Sequence, residues 1–143
     1  THNSIVWSVF VSGDYLFTGS ADNTAKMWDA DPNSVNFGDI VQTFRHSSKV
    51  KSVFVSGDYL FGGCDKYNSY GVSRTAKMWD VSTGNEVQTF SGHSTKAVLS
   101  VFVSGGMLFT GSGDKTVKMW HTIPELIRFR ITHNSGSDLI GSS

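Results

Sequence analysis

Ser8-Val9-Phe10-Val11-Ser12-Gly13-Asp14-Tyr15-Leu16-Phe17 is spelled again, letter for letter, from Ser52 to Phe61. The first copy runs on through Thr18-Gly19-Ser20-Ala21-Asp22-Asn23 and ends Thr24-Ala25-Lys26-Met27-Trp28-Asp29, an ending repeated at Thr75 to Asp80. Ser100 to Trp120 is a third copy, with Gly106 and Met107 in place of the Asp-Tyr pair. A period of about forty residues is the mark of a structural repeat, one supersecondary unit per period, stacked on its neighbours.

Within the first unit, Ile5 to Val11 is almost continuously apolar and predicts a strand buried on both faces. Glycine first in the two-residue Gly13-Asp14 loop suits a tight hairpin. Tyr15 to Ser20 and Thr24 to Asp29 read as the second and third strands, and Asp39 to Arg45 as a weaker, outer fourth. The second unit repeats the order at Val50–Val55, Tyr59–Cys64, Thr75–Val81 and Glu86–Phe90. The third gives Ala97–Val103, Met107–Ser112, Thr116–Trp120 and Glu125–Ile131. Twenty residues separate Ser8 from Trp28 and Ser100 from Trp120, but 27 separate Ser52 from Trp79. The second unit therefore carries an insertion, Tyr67 to Ser73. The third has one extra residue between His93 and its Ser-Val-Phe, which predicts a bulge at the strand start.

Short strands, Gly/Asn/Asp turns and no helical periodicity give an all-β protein of three four-stranded units. The repeats resemble the WD40 family. The residues that carry the resemblance are Gly92-His93, the Thr-Gly-Ser-X-Asp-X-Thr pattern at 18–24 and 110–116, and Trp-Asp at 28–29 and 79–80. It implies a β-propeller with blades at residues 1–45, 46–92 and 93–133, and a Gly/Ser-rich tail at 134–143.

Two sets of side chains invite a catalytic reading: His2, Thr18, Asp22 and Trp28, and His93, Thr110, Asp114 and Trp120. The structural reading explains more. An indole N–H only donates, a hydroxyl relays, and a carboxylate fixes the imidazole tautomer, so each set closes a chain of satisfied polar atoms. Chemistry needs one such site, whereas a scaffold repeats it. The resemblance implies the same structural role. In the second unit Gly62 replaces the hydroxyl between His46 and Trp79, which predicts a set held incompletely or with water in the gap, and a His46 more exposed than the other histidines.

Other chemistry finds little support. One histidine opens each unit (His2, His46 and His93), and that spacing around a ring places them too far apart to share a metal ion. Gly111 to Thr116 lacks the Gly-Lys-Ser/Thr ending of a phosphate loop. Cys64 stands where the other units have Ser20 and Ser112, the place of a small packing residue. Lys+Arg and Asp+Glu balance at 12 each without a basic run, which argues against nucleic acid. No apolar run approaches the roughly 20 residues of a membrane span. Neither a signal-peptide pattern nor an Asn-X-Ser/Thr sequon occurs. The expectation is a soluble, cytoplasmic, non-enzymatic protein without cofactor; a start at Thr1 leaves room for an upstream segment.

Three blades fall short of a ring, since propellers take about four to eight. Thr1-His2-Asn3-Ser4 recurs as Thr132-His133-Asn134-Ser135, as a ring or a tandem array requires. The expectation is head-to-tail homo-oligomerisation, two chains giving six blades or three giving nine; the alternative is a piece of a longer propeller. The function expected is a protein–protein interaction scaffold, with partner contacts at Tyr67, Tyr70 and Arg74 and at Lys49 and Lys96 nearby. A multivalent lectin-like or self-recognition propeller is the second reading.

Overall fold

A computed structural model describes residues 1–65 and 74–122. The described chain forms eleven strands in three antiparallel sheets, with no helix. Sheet one is β1 (Val6–Ser12), β2 (Tyr15–Ser20), β3 (Thr24–Asp29) and β4 (Ile40–Arg45). Sheet two is β5 (Lys49–Ser56), β6 (Tyr59–Asp65), β7 (Thr75–Asp80) and β8 (Glu86–Ser91). Sheet three is β9 (Val98–Ser104), β10 (Met107–Ser112) and β11 (Val117–His121). The strand expected at 125–131, the recurrence at 132–135 and the tail at 134–143 lie outside the described residues. No helix of the described residues is long and apolar enough to cross a membrane.

Each sheet is a simple up-and-down meander, because its first two strands join through a two-residue turn that Ser12 and Tyr15 close in register. Gly13, Gly57 and Gly105 open these turns at φ 57, 57 and 58, a backbone region that costs glycine no steric penalty. In the third unit Gly106 also has positive φ (75), so the missing Asp-Tyr pair changes the turn there.

The first strands all carry a bulge at one place. Val6 pairs with Ser20 and Ser8 with Gly19; Val50 pairs with Cys64 and Ser52 with Gly63; Val98 pairs with Ser112 and Ser100 with Gly111. The bulge is thus common to the repeat and is not the product of the third unit's extra residue. That residue lies upstream, in the loop between His93 and Val98.

Two cores form, one at each junction between sheets. Phe17, Ala25, Met27 and Phe44 of sheet one pack against Val50, Val53, Val55, Leu60 and Trp79 of sheet two. Phe61, Ala76, Met78 and Phe90, on the other face of sheet two, pack against Val98, Val101 and Leu108. Contacts between sheets concentrate on first strands: β5 meets β1, β2 and β3, and β9 meets β5, β6 and β7. The sheets are blades, stacked face to face with their first strands converging.

The strand β1 departs from the expectation of burial on both faces. Val9 and Val11 are each 65% exposed, whereas their counterparts Val53 and Val55 are 5% and 9% exposed. The sequence is the same, but β5 has a sheet in front of it and β1 has none among the described residues. At the other end Val117 and Met119 are 74% and 68% exposed, against 1% and 0% for Ala76 and Met78.

Candidate functional site

Blades one and three build the same polar chain. The Trp28 indole donates to Thr18 Oγ1 at 2.8 Å, Thr18 Oγ1 lies 2.6 Å from His2 Nε2, and His2 Nδ1 lies 2.8 Å from Asp22 Oδ2. In blade three the distances are 2.9 Å for Trp120 to Thr110, 2.8 Å for Thr110 to His93, and 3.1 Å for His93 to Asp114. A carboxylate only accepts, so Nδ1 carries the imidazole proton and Nε2 accepts the threonine hydroxyl. The hydroxyl is thereby fixed as acceptor from the indole.

The aspartates are held from several sides. Asp22 Oδ1 accepts the Thr24 hydroxyl (2.6 Å) and amide (3.0 Å), and Oδ2 accepts the Asn3 amide (3.0 Å). Burial opposes the charge on Asp22, but the donors of Thr24, Asn3 and His2 outweigh it and hold the carboxyl well below the usual range. The Thr116 hydroxyl acts most strongly on Asp114, with the Ser94 and Thr116 amides and His93 beside it, and its carboxyl is likewise depressed. Within each set the threonine hydroxyl donates to the imidazole and accepts from the indole, so each member is engaged by another of the same set.

Blade two is built otherwise. A Cβ on Gly62 would come within 2.7 Å of Trp79 Cζ3, so the indole ring itself stands where the hydroxyl stands elsewhere. Trp79 is fully buried, and its Nε1–H finds no acceptor among the described residues. The ring of His46 meets Trp79 edge-on at 6.1 Å. Its Nδ1 faces the Ser48 amide at 2.8 Å and the Ser48 hydroxyl at 2.7 Å, so a serine takes the aspartate's place and the tautomer is reversed. His46 is half-buried, as is His2, while His93 is buried.

Of the expected contact residues, Arg74 and Lys96 share a cleft of about 490 Å³ with Asp65, Thr95, Leu99 and Gly113. Arg74 Nη1 donates to the Ser94 carbonyl at 3.0 Å, which ties blade two to the loop before β9. Lys49 opens β5, exposed, directly across from Asp65. Tyr67, Tyr70 and the remainder of the insertion from Tyr67 to Ser73 lie outside the described residues. A second cleft, about 640 Å³, opens between blades one and two over Phe17, Met27 and Val55, beside Tyr15, Tyr59 and Asp80. Among the described residues no three His, Cys, Asp or Glu side chains gather to hold a metal. Cys64 is buried, and burial pushes its thiol far up, away from a reactive thiolate.

Three inter-blade contacts escape a motif-by-motif reading. Ser8 Oγ accepts the Val53 amide at 3.0 Å, and Ser52 Oγ accepts the Val101 amide at 3.1 Å. The rings of Phe10, Phe54 and Phe102 run from blade to blade at 4.7 and 4.8 Å. Lys51 Nζ lies 3.8 Å from the centroid of a Trp7 ring. The identical Ser-Val-Phe letters in every unit are the signal that marks the first two.

Repeated meander sheets, stacked by their faces and each pinned by a His/Thr/Asp/Trp set or its remnant, define a β-propeller class of repeat protein. The family description "WD domain, G-beta repeat" matches residues 1–29 and 84–121, flanking the region that holds Gly62 and the insertion. The chain carries WD40 repeats over these two stretches, and WD40 domains generally mediate protein–protein interaction. It is 29% identical over 121 residues to Protein tipD of Dictyostelium discoideum, covering 83% of this chain and 18% of that one. It is 27% identical over 116 residues to human Kinesin-like protein KIF21B, covering 81% and 6%. Protein Notchless of Drosophila melanogaster is 40% identical over 58 residues, covering 40% and 12%. The chain thus spans less than a fifth of the length of these relatives.

Proposed function

We propose that this chain is a non-catalytic protein–protein interaction scaffold whose blades, 1–45, 46–92 and 93–133, are completed into a ring by head-to-tail association of copies. One observation carries the reading. The two outward faces of the stack are apolar, and each repeats a face that is packed inside it: Val9 and Val11 stand for Val53 and Val55, and Met119 stands for Met78. Apolar area of this kind on a soluble surface marks an interface. Two chains give six blades, an ordinary ring; three give nine.

A rigid ring presents its loops as a fixed platform. The partner contact is the face that carries Lys49, Arg74 and Lys96, to which the sequence adds Tyr67 and Tyr70. The cleft joining Arg74 and Lys96 supports that choice, because two cations against the one carboxylate of Asp65, beside Ala97 and Leu99, suit an acidic peptide segment. The repeated polar sets support a scaffold over an enzyme, since their members are committed to one another. Affinity capture with the Arg74→Ala/Lys96→Ala variant alongside the parent tests the platform. Protein partners captured by the parent and lost by the variant are the expected result. Specific glycan-array binding without any protein partner would favour the lectin-like reading and overturn this one.

A further inference from the structure

We infer that blade three receives blade one of a second copy in one fixed register: Gly111 and Ser100 take the Val6 and Val9 segment, and Phe102 stacks on Phe10. This rests on the head-to-tail reading above and specifies its joint.

The chain makes this joint twice within itself. A Cβ on Gly19 would lie 3.0 Å from Val50 Cγ1, 3.1 Å from the Val50 carbonyl and 3.1 Å from Val53 Cγ1. A Cβ on Gly63 would lie 2.8 Å from the Val98 carbonyl, 3.0 Å from Val98 Cγ1 and 3.3 Å from Val101 Cγ1. These glycines are slots into which the next blade's bulged strand presses its backbone and its valine pair. The serine opposite each slot caps the joint: Ser8, paired with Gly19, takes the Val53 amide, and Ser52, paired with Gly63, takes the Val101 amide.

Gly111 and Ser100 are the third such pair, in the same bulged register. Here the slot is open. Among the described residues the nearest atom to a Cβ on Gly111 is the Ser100 Cβ at 3.9 Å, within the same sheet. Ser100 Oγ makes no hydrogen bond among the described residues, and Phe102 is more than half exposed although Phe10 and Phe54 each have a ring before them.

The occupant follows from the insert. Val6 and Val9 hold on β1 the places of Val50 and Val53 on β5, and Ser8 to Phe17 matches Ser52 to Phe61 in every letter. The face that fits the slot on blade one when blade two presents it is therefore displayed again on blade one, with nothing against it among the described residues. The bulge residues agree: Trp7 meets Lys51 at the first joint, while Leu99 and Trp7, both exposed, would meet at the new one. Such a heterologous contact uses different patches on its two sides.

Two variants test this, each changing one side: Val9→Asp on blade one and Gly111→Trp on blade three. Val9 is exposed, and a Cβ on Gly111 meets no atom of another sheet among the described residues, so circular dichroism and the urea midpoint should stay near the parent. In sedimentation velocity each variant alone is expected at the 15.6 kDa of one chain, and their equimolar mixture at twice that mass, through the one intact joint. Ser100→Ala should weaken parental assembly roughly threefold to tenfold for each joint, as loss of one hydrogen bond does, and a two-chain ring holds two such joints, so the two losses multiply. Parental assembly retained by Gly111→Trp, or a mixture that stays monomeric, overturns this register while leaving a ring possible by another joint. A parent that is itself monomeric overturns the head-to-tail reading as well.

Discussion

Trp79 occupies the place of the side chain that Gly62 lacks: a Cβ there would sit 2.7 Å from its Cζ3 and 3.0 Å from its Cη2. Blades one and three have a threonine at this position and a half-buried tryptophan; blade two has glycine and a fully buried one. The exchange gives up a hydrogen-bonded hydroxyl for an indole ring sunk into its place, while the ring contacts with His46 and Phe44 match those of Trp120 with His93 and Phe90.

Restoring the family residue should therefore harm this blade. Gly62→Thr drives a side chain into a rigid ring, and overpacking of that kind costs about 1–3 kcal/mol. The urea midpoint should fall. An unchanged or raised midpoint would show that Trp79 swings aside to rebuild the threonine relay.

Thr110 stands between two partners, accepting from Trp120 and bonded to His93 while buried. Thr110→Val keeps the shape and strands an indole N–H and an imidazole nitrogen. A loss of about 1–3 kcal/mol is expected from such unpaired buried groups. A loss within error of zero in chemical denaturation would contradict the relay described for blades one and three.

Together with Asp80 and Glu86, which are also depressed, Asp22 and Asp114 contribute to the acid limb of stability. Both carboxyls are depressed in the folded chain, so the unfolded chain takes up protons first as pH falls. Their contribution is present above the ordinary aspartate value of 3.8 and is lost progressively below it. Stability measured from about pH 6 to about pH 2 should fall steeply in the parent and less steeply in the Asp22→Asn/Asp114→Asn variant. Parallel curves would contradict the assignment.

Lys115 has φ 72 and Asn23 has φ 70 at the matching turn. Asparagine tolerates that left-handed backbone better than lysine. Lys115→Asn should stabilise blade three by up to about 1 kcal/mol. A lowered thermal midpoint would mean that the lysine side chain contributes more than its backbone strain removes.

Much of the fold was legible because the chain repeats itself. The turn glycines and the Trp-Asp endings placed every described strand to within a residue or two. The exposure of β1 was not legible, because a strand's apolar letters do not say which face finds a neighbour. Val9 and Val53 have the same letters around them and opposite surroundings. The spacing from His93 to Ser100 showed an extra residue, but only the pairing of Val98 with Ser112 placed it ahead of the bulge. Gly62 announced a missing hydroxyl, yet the ring that fills its place and the role of Ser48 depend on geometry.

The mass of the unmodified chain in solution tests the central claim most directly. Light scattering at micromolar concentration should give twice the 15.6 kDa of one chain, or three times it for the larger ring. A stable species of 15.6 kDa across that range would contradict it.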